Sequence, residues 1–344
     1  MAPTIKEVAK IAQVSPSTVS RVISNSPRIS PKTKMKVKKI MDDLGYHPNV
    51  NARNLAVNST YSIGVVMPSS TDKALQNPFF PEVLRGIGSV ARELDYSLYV
   101  STGGNPEEQF EEVKRMVFGN RVDGVILLYS RVNDAITKFL LEKNFPFVIV
   151  GKPLHTFEDI TYVDNDNIKA SKELTQHLID LGHKNIGFIG GPAEQMVTAD
   201  RLKGFELSMK NSKISVPDEY KIQTEFLEYG GRKAVERLIS LEDPPTGLVV
   251  TDDIVSLGVM NTLNDLGFSV PKDVSIVSFN NVYLAEIATP PLTTVDINIF
   301  KLGAKATNSL INKINSKSVE PIIIPHKIKY RNSTKSLSLR RNDN

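Results

Sequence analysis

Arg21 lies one helical turn beyond Pro16 and Ser17, in a stretch whose apolar residues Val19, Val22 and Ile23 share one helical face. A forked guanidinium can satisfy two acceptors on one planar edge, as guanine O6 and N7 present them. The short hydroxyls of Ser15, Ser20, Ser24 and Ser30 suit phosphate oxygens, as do helix N-termini. That combination fits duplex DNA, although serines of this kind also serve as plain helix caps. Elsewhere the residues argue against catalysis. There is no Walker loop, and Gly187-Phe188-Ile189-Gly190-Gly191-Pro192 has the wrong spacing for a dinucleotide fingerprint. His177 and His183 are six residues apart, which does not match a zinc pair. Asp164-Asn165-Asp166-Asn167 resembles half a calcium loop but lacks its glycine and terminal glutamate, so a strand-to-helix cap is the better reading. No serine in a nucleophile elbow accompanies a usable histidine. The chain has no cysteine, which removes disulfides, zinc-cysteine and iron–sulfur sites and a thiol nucleophile. No catalytic residue, metal site or cofactor is expected.

The elements that would carry Arg21 are marked by their start signals. Thr4-Ile5-Lys6-Glu7 reads as a capping box, with Ile5, Val8 and either Ile11 or Ala12 facing inward. Ser15-Pro16 and Ser30-Pro31 each place an N-cap before a proline at the first helical position. The third helix carries Val37, Ile40, Met41 and Leu44 inward and stops at Gly45. Roughly three residues separate the first two helices, the spacing of a helix-turn-helix, whose second helix enters the major groove. Charge agrees: residues 1–60 hold ten Lys/Arg against three Asp/Glu, while the rest holds 32 against 35. A basic head on a mildly acidic body suggests a polyanion partner for the head alone. Residues 46–56 are too short and polar to form a stable helix unaided, so they read as a linker that gains helix when supported. Leu55 is then either ordinary linker or a wedge for a minor groove.

From Tyr61 the pattern alternates. Apolar runs at 63–67, 98–100, 125–128, 147–150, 186–189, 248–251 and 276–279 read as buried parallel strands. Helical patterns lie between them near 81–95, 107–119, 133–143, 167–182, 195–210, 229–241 and 253–266. The fold class is therefore α/β and doubly wound, with enough units for two sheets. A ligand would sit beyond the carboxyl ends of the strands, between two lobes. At 344 residues, 40% hydrophobic and 23% charged, the chain matches a soluble multidomain protein. No apolar run approaches a membrane span, and residues 1–7 lack the apolar core of a signal peptide, so a cytoplasmic location is expected.

Ile5 to Lys10, Val14 to Val22 and Leu44-Gly45-Tyr46-His47-Pro48-Asn49 resemble the head of the lac repressor/galactose repressor family. The likeness continues through Asn77-Pro78-Phe79-Phe80, Asp123-Gly124-Val125-Ile126, residues 177–191, Arg201-Leu202-Lys203-Gly204-Phe205 and Pro290-Pro291-Leu292-Thr293-Thr294, covering nearly the whole chain. The resemblance implies a sequence-specific transcriptional repressor and a homodimer on a pseudo-palindromic operator. Its DNA contacts would be Thr4, Ser15, Pro16, Ser17, Ser20, Arg21, Ser24, Arg28, Ser30, Thr33, Tyr46, Asn49, Ala52 and Leu55. Residues 1–48 would form the head and 49–60 a hinge helix and linker, with Leu55 levering open a base step. Residues 61–332 would form a body like a periplasmic sugar-binding protein, its lobes joined by three crossovers. The N-lobe is expected at about 61–161 plus 293–320, the C-lobe at about 162–290 plus 321–332, and a tail at 333–344. Carried over motif by motif, Phe79, Tyr162, Arg201, Asp252 and Asn280 would meet the effector; the aromatic residues could equally be lobe packing.

Many relatives carry Phe-Asp-Asp where this chain has Phe279-Asn280-Asn281. Asparagine donates and accepts without charge, which suits a neutral polyhydroxylated ligand. Residues 278–286, with Val150-Gly151-Lys152-Pro153, are most similar to the maltose-operon repressor branch, so maltose or a short maltodextrin is the expected effector. The end of the chain lacks leucine heptads that would join two dimers. No Tyr-Pro-Ala-Met segment of the kind carried by the family's phosphocarrier-dependent regulator is present, so no protein corepressor is required. Two other classes stand against this reading. A transport-type sugar-binding protein would lack the basic head, and a sugar enzyme such as a kinase would need the phosphate loop that is missing.

Overall fold

The structure, a computed structural model, describes residues 3–23, 26–46, 59–68, 70–154 and 160–337. The chain divides into two compact units, Met1–Thr60 and Tyr61–Asn344.

Among its described residues the head forms helices α1 (Ile5–Ala12), α2 (Pro16–Ile23) and α3 (Pro31–Leu44). Thr4 Oγ1 accepts from Glu7 N at 3.4 Å while Thr4 N donates to the Glu7 carboxylate at 2.7 Å, completing the capping box. Ser15 and Ser30 accept from Thr18 N and Thr33 N, each at 3.2 Å. Gly45 at φ +62° closes α3 in the left-handed region that glycine enters without steric cost. Val8, Ala9, Ala12, Val19, Val22 and Val37 form the centre of this core. Each fully buried valine contributes on the order of 1.5–3 kcal/mol. Ala12 is the inward residue at the end of α1; Ile11 is 52% exposed.

The body runs β1 (Ser62–Val66), α4 (Thr71–Leu75), α5 (Phe79–Glu93), β2 (Ser97–Val100), α6 (Pro106–Phe118), β3 (Gly124–Leu127), α7 (Ala135–Glu142), β4 (Phe147–Val150) and β5 (Tyr162–Asp164). It continues through α8 (Asn167–Asp180), β6 (Ile186–Gly190), α9 (Met196–Asn211), β7 (Lys221–Gln223), α10 (Glu228–Ile239), β8 (Gly247–Val250), α11 (Asp253–Asp265) and β9 (Ser275–Asn280). The last elements are α12 (Tyr283–Ile287), β10 (Thr293–Asp296), α13 (Ile299–Ile314), β11 (Ile322–Ile323) and β12 (Lys327–Lys329). The N-lobe sheet has the order β11-β5-β4-β3-β1-β2 and the C-lobe sheet β12-β10-β9-β8-β6-β7. All pairings are parallel except β10 with β12. Strands β3, β4, β6, β8 and β9 are buried along their whole length, which explains why their sequences do not alternate apolar with charged residues.

The pairings move the lobe boundaries. Strand β5 belongs to the N-lobe sheet and β10 to the C-lobe sheet, while β11 returns to the first. The crossovers therefore fall after residues 164, 296 and 323, correcting the expected breaks near 161, 290–293 and 320. Three-residue strands such as β5 lack the length to declare a sheet, and only their partners assign them. The expected tail is likewise corrected at its start. Ser333 is buried, donates to Ile276 O at 2.6 Å and accepts from Thr293 N at 2.8 Å. The chain stays attached as far as Leu337 N, which donates to Leu181 O at 2.9 Å.

Helix α13 packs on α5 with almost no space between their backbones. A Cβ on Gly86 would lie 2.1 Å from Phe300 O, and one on Gly303 would lie 2.2 Å from Val83 O. Its buried face includes Gly303, Ala306, Thr307 and Ser309, so the apolar stripe that marks a helix in sequence is diluted by small and hydroxyl residues.

Candidate functional site

In the head, the groups expected at DNA lie on the surface of α2 and beside it. Thr4, Ser15, Pro16, Ser17, Ser20, Arg21, Arg28 and Ser30 are exposed, while Thr33 and Tyr46 are half-buried. Val19 and Val22 turn the opposite side of α2 into the core, and this anchoring orients the polar face. Ser15 Oγ lies 2.7 Å from Ser17 Oγ and 2.9 Å from Thr18 Oγ1, so three hydroxyls cluster at the start of α2. Ser24, Asn49, Ala52 and Leu55, and with them the expected hinge helix, lie outside the described residues.

In the body, a cleft of about 840 Å³ opens between the carboxyl ends of the two sheets. Phe79, Arg201, Asp252 and Asn280 all line it. Tyr162 does not, and this corrects the sequence expectation. It starts β5 in register with Ile149 and packs into the N-lobe core beneath the strand ends. The residues that β5 delivers to the cleft are at its other end, Asp164 and Asn165.

The cleft floor carries two hydrogen-bonded sets side by side, one around Asp252 and one around Arg201. Asp252 caps α11, accepting from Ile254 N at 2.8 Å through Oδ1. Its Oδ2 accepts from Asn280 Nδ2 at 2.8 Å and from Asn77 Nδ2 at 2.9 Å. Asn77 also donates to Phe226 O at 3.2 Å and accepts from Phe79 N at 2.9 Å, so an N-lobe side chain grips the C-lobe. Arg201 is 4% exposed; its Nε donates to Asn167 Oδ1 at 3.0 Å and a terminal nitrogen donates to Thr251 O at 2.5 Å. Its guanidinium lies over the Phe279 ring at 4.3 Å. Asn167 passes the chain on to Asp164 Oδ1 at 3.0 Å.

Burial governs the charges here. Desolvation draws Arg201 down to about 10, against the pull of Asp252 and Asp164. The same cause pushes Asp164 and Asp252 up to about 6 and Asp253 to about 7, although hydrogen bonds oppose it in each case. Among the described residues, no group of three His, Cys, Asp or Glu could hold a metal ion, and no histidine lines the cleft. What this floor offers is a dense array of donors and acceptors around one cation.

Two further sets were not singled out from the sequence. Asn165 Nδ2 donates to Ile297 O at 3.0 Å and to Ile324 O at 2.8 Å, so one amide in the first crossover ties down the other two. On the far wall, Arg131 bridges Gln195, Val132 N donates to Glu194 O at 3.2 Å and Met196 N to Ser130 O at 3.0 Å. The lobes thus touch through backbone there and through Asn77 at the floor. The Asn77-Pro78-Phe79-Phe80 motif held a legible signal, because an asparagine just before a helix start is placed to turn its amide inward. Asn165 gave none, since its acceptors are more than a hundred residues away.

Comparison with known proteins agrees with both parts. Residues 4–49 match the model described as "Bacterial regulatory proteins, lacI family", and residues 175–334 match the "Periplasmic binding protein-like domain". The HTH-type transcriptional regulator MalR of Streptococcus pneumoniae serotype 4 is 41% identical, over 95% of this chain and 99% of its own. A crystal structure of a LacI transcriptional regulator from Bacillus cereus subsp. cytotoxis is 52% identical, with a TM-score of 0.79 over 80% of this chain and 98% of that one. A complex of the transcriptional regulator CelR with cellobiose is 29% identical, with a TM-score of 0.75 over 96% of this chain and 99% of that one.

Proposed function

The chain belongs to the lacI family of bacterial regulatory proteins, and from that premise we propose that it keeps sugar-utilisation genes silent until a neutral sugar enters its cleft. It is a DNA-binding transcriptional repressor, and its relatives are transcriptional regulators. No helix among the described residues is long and apolar enough to cross a membrane. We take the working form to be a homodimer whose heads meet consecutive major grooves of a pseudo-palindromic operator. On this reading Arg21 reads a base edge, the hydroxyls around it hold phosphates, and Leu55 opens a central step.

The observation that carries the effector reading is that Arg201, Asp252, Asn280 and Asn77 all line the floor of one cleft. Arg201 faces Asp164 and Asp252, and around the whole lining Lys73, Arg131, Arg201 and Lys233 balance Asp164, Glu194, Glu225 and Asp252, so the cleft carries no net charge that would select a charged ligand. Hydroxyls suit such a floor because each can donate to a carboxylate and accept from an amide. Phe79, Phe226 and Tyr229 supply aromatic faces for sugar C–H groups. Maltose or a short maltodextrin is the preferred ligand, because the curated relative above carries the name MalR. The cellobiose complex of a similar regulator supports a second reading, in which the ligand is another neutral disaccharide.

The test is an operator gel shift with purified protein, titrated with maltose, maltotriose, cellobiose, glucose and a sugar phosphate. Release by maltose or maltotriose alone supports the first reading, and release by cellobiose alone supports the second. Release only by the sugar phosphate would overturn the neutral-ligand claim. Tighter DNA binding with sugar would reverse the polarity and make the ligand a corepressor.

A further inference from the structure

Strand β9 ends in an unusual turn. Asn280 has φ +107° and Asn281 φ +53°, two successive non-glycine residues in the left-handed half of backbone space. Such conformations persist only where the surroundings over-determine them. The turn matters because Asn280, at its first position, lines the cleft and donates to Asp252 Oδ2.

The surroundings come from the C-terminal segment. Arg331 does not line the cleft; it lies behind the turn. One terminal nitrogen donates to Asn281 Oδ1 at 2.8 Å and the other to Leu292 O at 2.9 Å. Its own backbone N donates to Thr293 Oγ1 at 2.9 Å, and Ser333 is locked between β9 and β10, so the guanidinium has a fixed base. Asn281 N makes only a long contact of 3.4 Å with Thr294 Oγ1, and the 2.9 Å bond from Val282 N to the Asp253 carboxylate acts on the next residue, so the short hydrogen bond on Asn281 itself is the one from Arg331. A guanidinium fork can hold two carbonyl oxygens at a set separation, which a lysine cannot.

The geometry points to Arg331 as a positioning residue for the effector site: by clamping Asn281 in its left-handed conformation, it aims the Asn280 amide at Asp252 and at the ligand. This rests on the cleft being the effector site. It adds a link that the cleft-lining residues do not contain, from the C-terminal segment through β9 to the ligand.

Calorimetric maltose titrations of wild type, Arg331→Gln, Arg331→Lys, Asn281→Ala and the Gln/Ala double variant test it, well below the melting point of each. Arg331→Gln and Asn281→Ala should each weaken maltose by about tenfold or more, as expected for loss of a charge-assisted hydrogen bond. The double variant should be no worse than the weaker single, because both remove one clamp, and Arg331→Lys should recover part of the loss. A general loss of folding would give losses that add, and no rescue by lysine. Wild-type affinity in Arg331→Gln, or additive losses, would overturn the inference. If wild type binds no sugar, the effector reading fails instead. The clamp is then judged from the Asn280 side-chain amide resonance of the ligand-free protein, which must shift in both single variants; an unchanged resonance would overturn it.

Discussion

Ser15 and Ser30 cap their helices through amides three residues on, whereas Asn77 reaches Asp252 across 175 residues of chain. The head is built from such local devices around a small valine core. The cleft is built from side chains that meet only after both sheets have formed. This difference predicts how each region fails. Damage to the head should stay local and additive, and damage to the cleft floor should spread through shared partners.

The sharpest break in the comparison is Arg201→Ala. It leaves Asp252 and Asp164 buried without their cation, which should cost the body about 3–5 kcal/mol. Maltose binding should vanish while the head still binds operator, giving an uninducible repressor. Calorimetry and gel shift on the same preparation would show this; retained sugar response would remove Arg201 from the site.

Acidity gives the next largest effect. Burial raises Asp252 from 3.8 to about 6, so the folded body holds a proton there that the unfolded chain would release. The charge penalty is full above about pH 6 and fades toward pH 4. Wild type should therefore gain stability relative to Asp252→Asn as pH falls from 7.5 to 4.5, measured by denaturant unfolding. Comparison with the variant cancels His177, whose burial acts in the opposite direction. A constant difference would mean that Asp252 keeps an ordinary carboxylate pKa.

Asn165→Ala sharpens the contrast by leaving two crossover carbonyls without their shared donor, at a cost of about 1–3 kcal/mol. Because those carbonyls lie at the crossovers, the sugar dose needed for operator release should shift more than the DNA affinity of ligand-free protein. An unchanged dose would reduce Asn165 to a local fastener.

In the head, Arg21→Ala should cost on the order of 1–3 kcal/mol on operator and relax preference at one base position per half-site. Equal loss on operator and random DNA would make Arg21 a phosphate contact. The smallest effect belongs to Thr4→Ala, about 1 kcal/mol of head stability with no change in sugar affinity.

The sequence made some of this plain and hid the rest for physical reasons. Ser15-Pro16, Ser30-Pro31 and Gly45 announced the head because a cap and its helix are neighbours. Seven parallel strands were legible as apolar runs within a residue or so of their ends, but β2, read as buried, exposes Leu98 and Tyr99, and the buried strands β5 and β10 were not read. Helix α13 was not, because Gly303, Ala306, Thr307 and Ser309 interrupt the inner stripe that Ile299, Leu302, Leu310 and Ile311 form. Arg201, Asp252 and Asn280 were placed by family resemblance, and all three line one cleft. Tyr162 failed because a strand's two ends serve different surroundings, and which end reaches the cleft depends on the sheet it joins. Asn165 was legible only as part of a strand-to-helix cap and Arg331 not at all, since their partners lie far along the chain.

The central claim is that ligand in the cleft and DNA on the head are coupled. Maltose affinity measured by calorimetry, with and without saturating operator, tests it directly. Linkage requires operator to weaken maltose by the factor with which maltose weakens operator, about 5–150-fold for a coupling of 1–3 kcal/mol. Identical maltose affinities in the two titrations would contradict the account, leaving a sugar that binds but does not regulate.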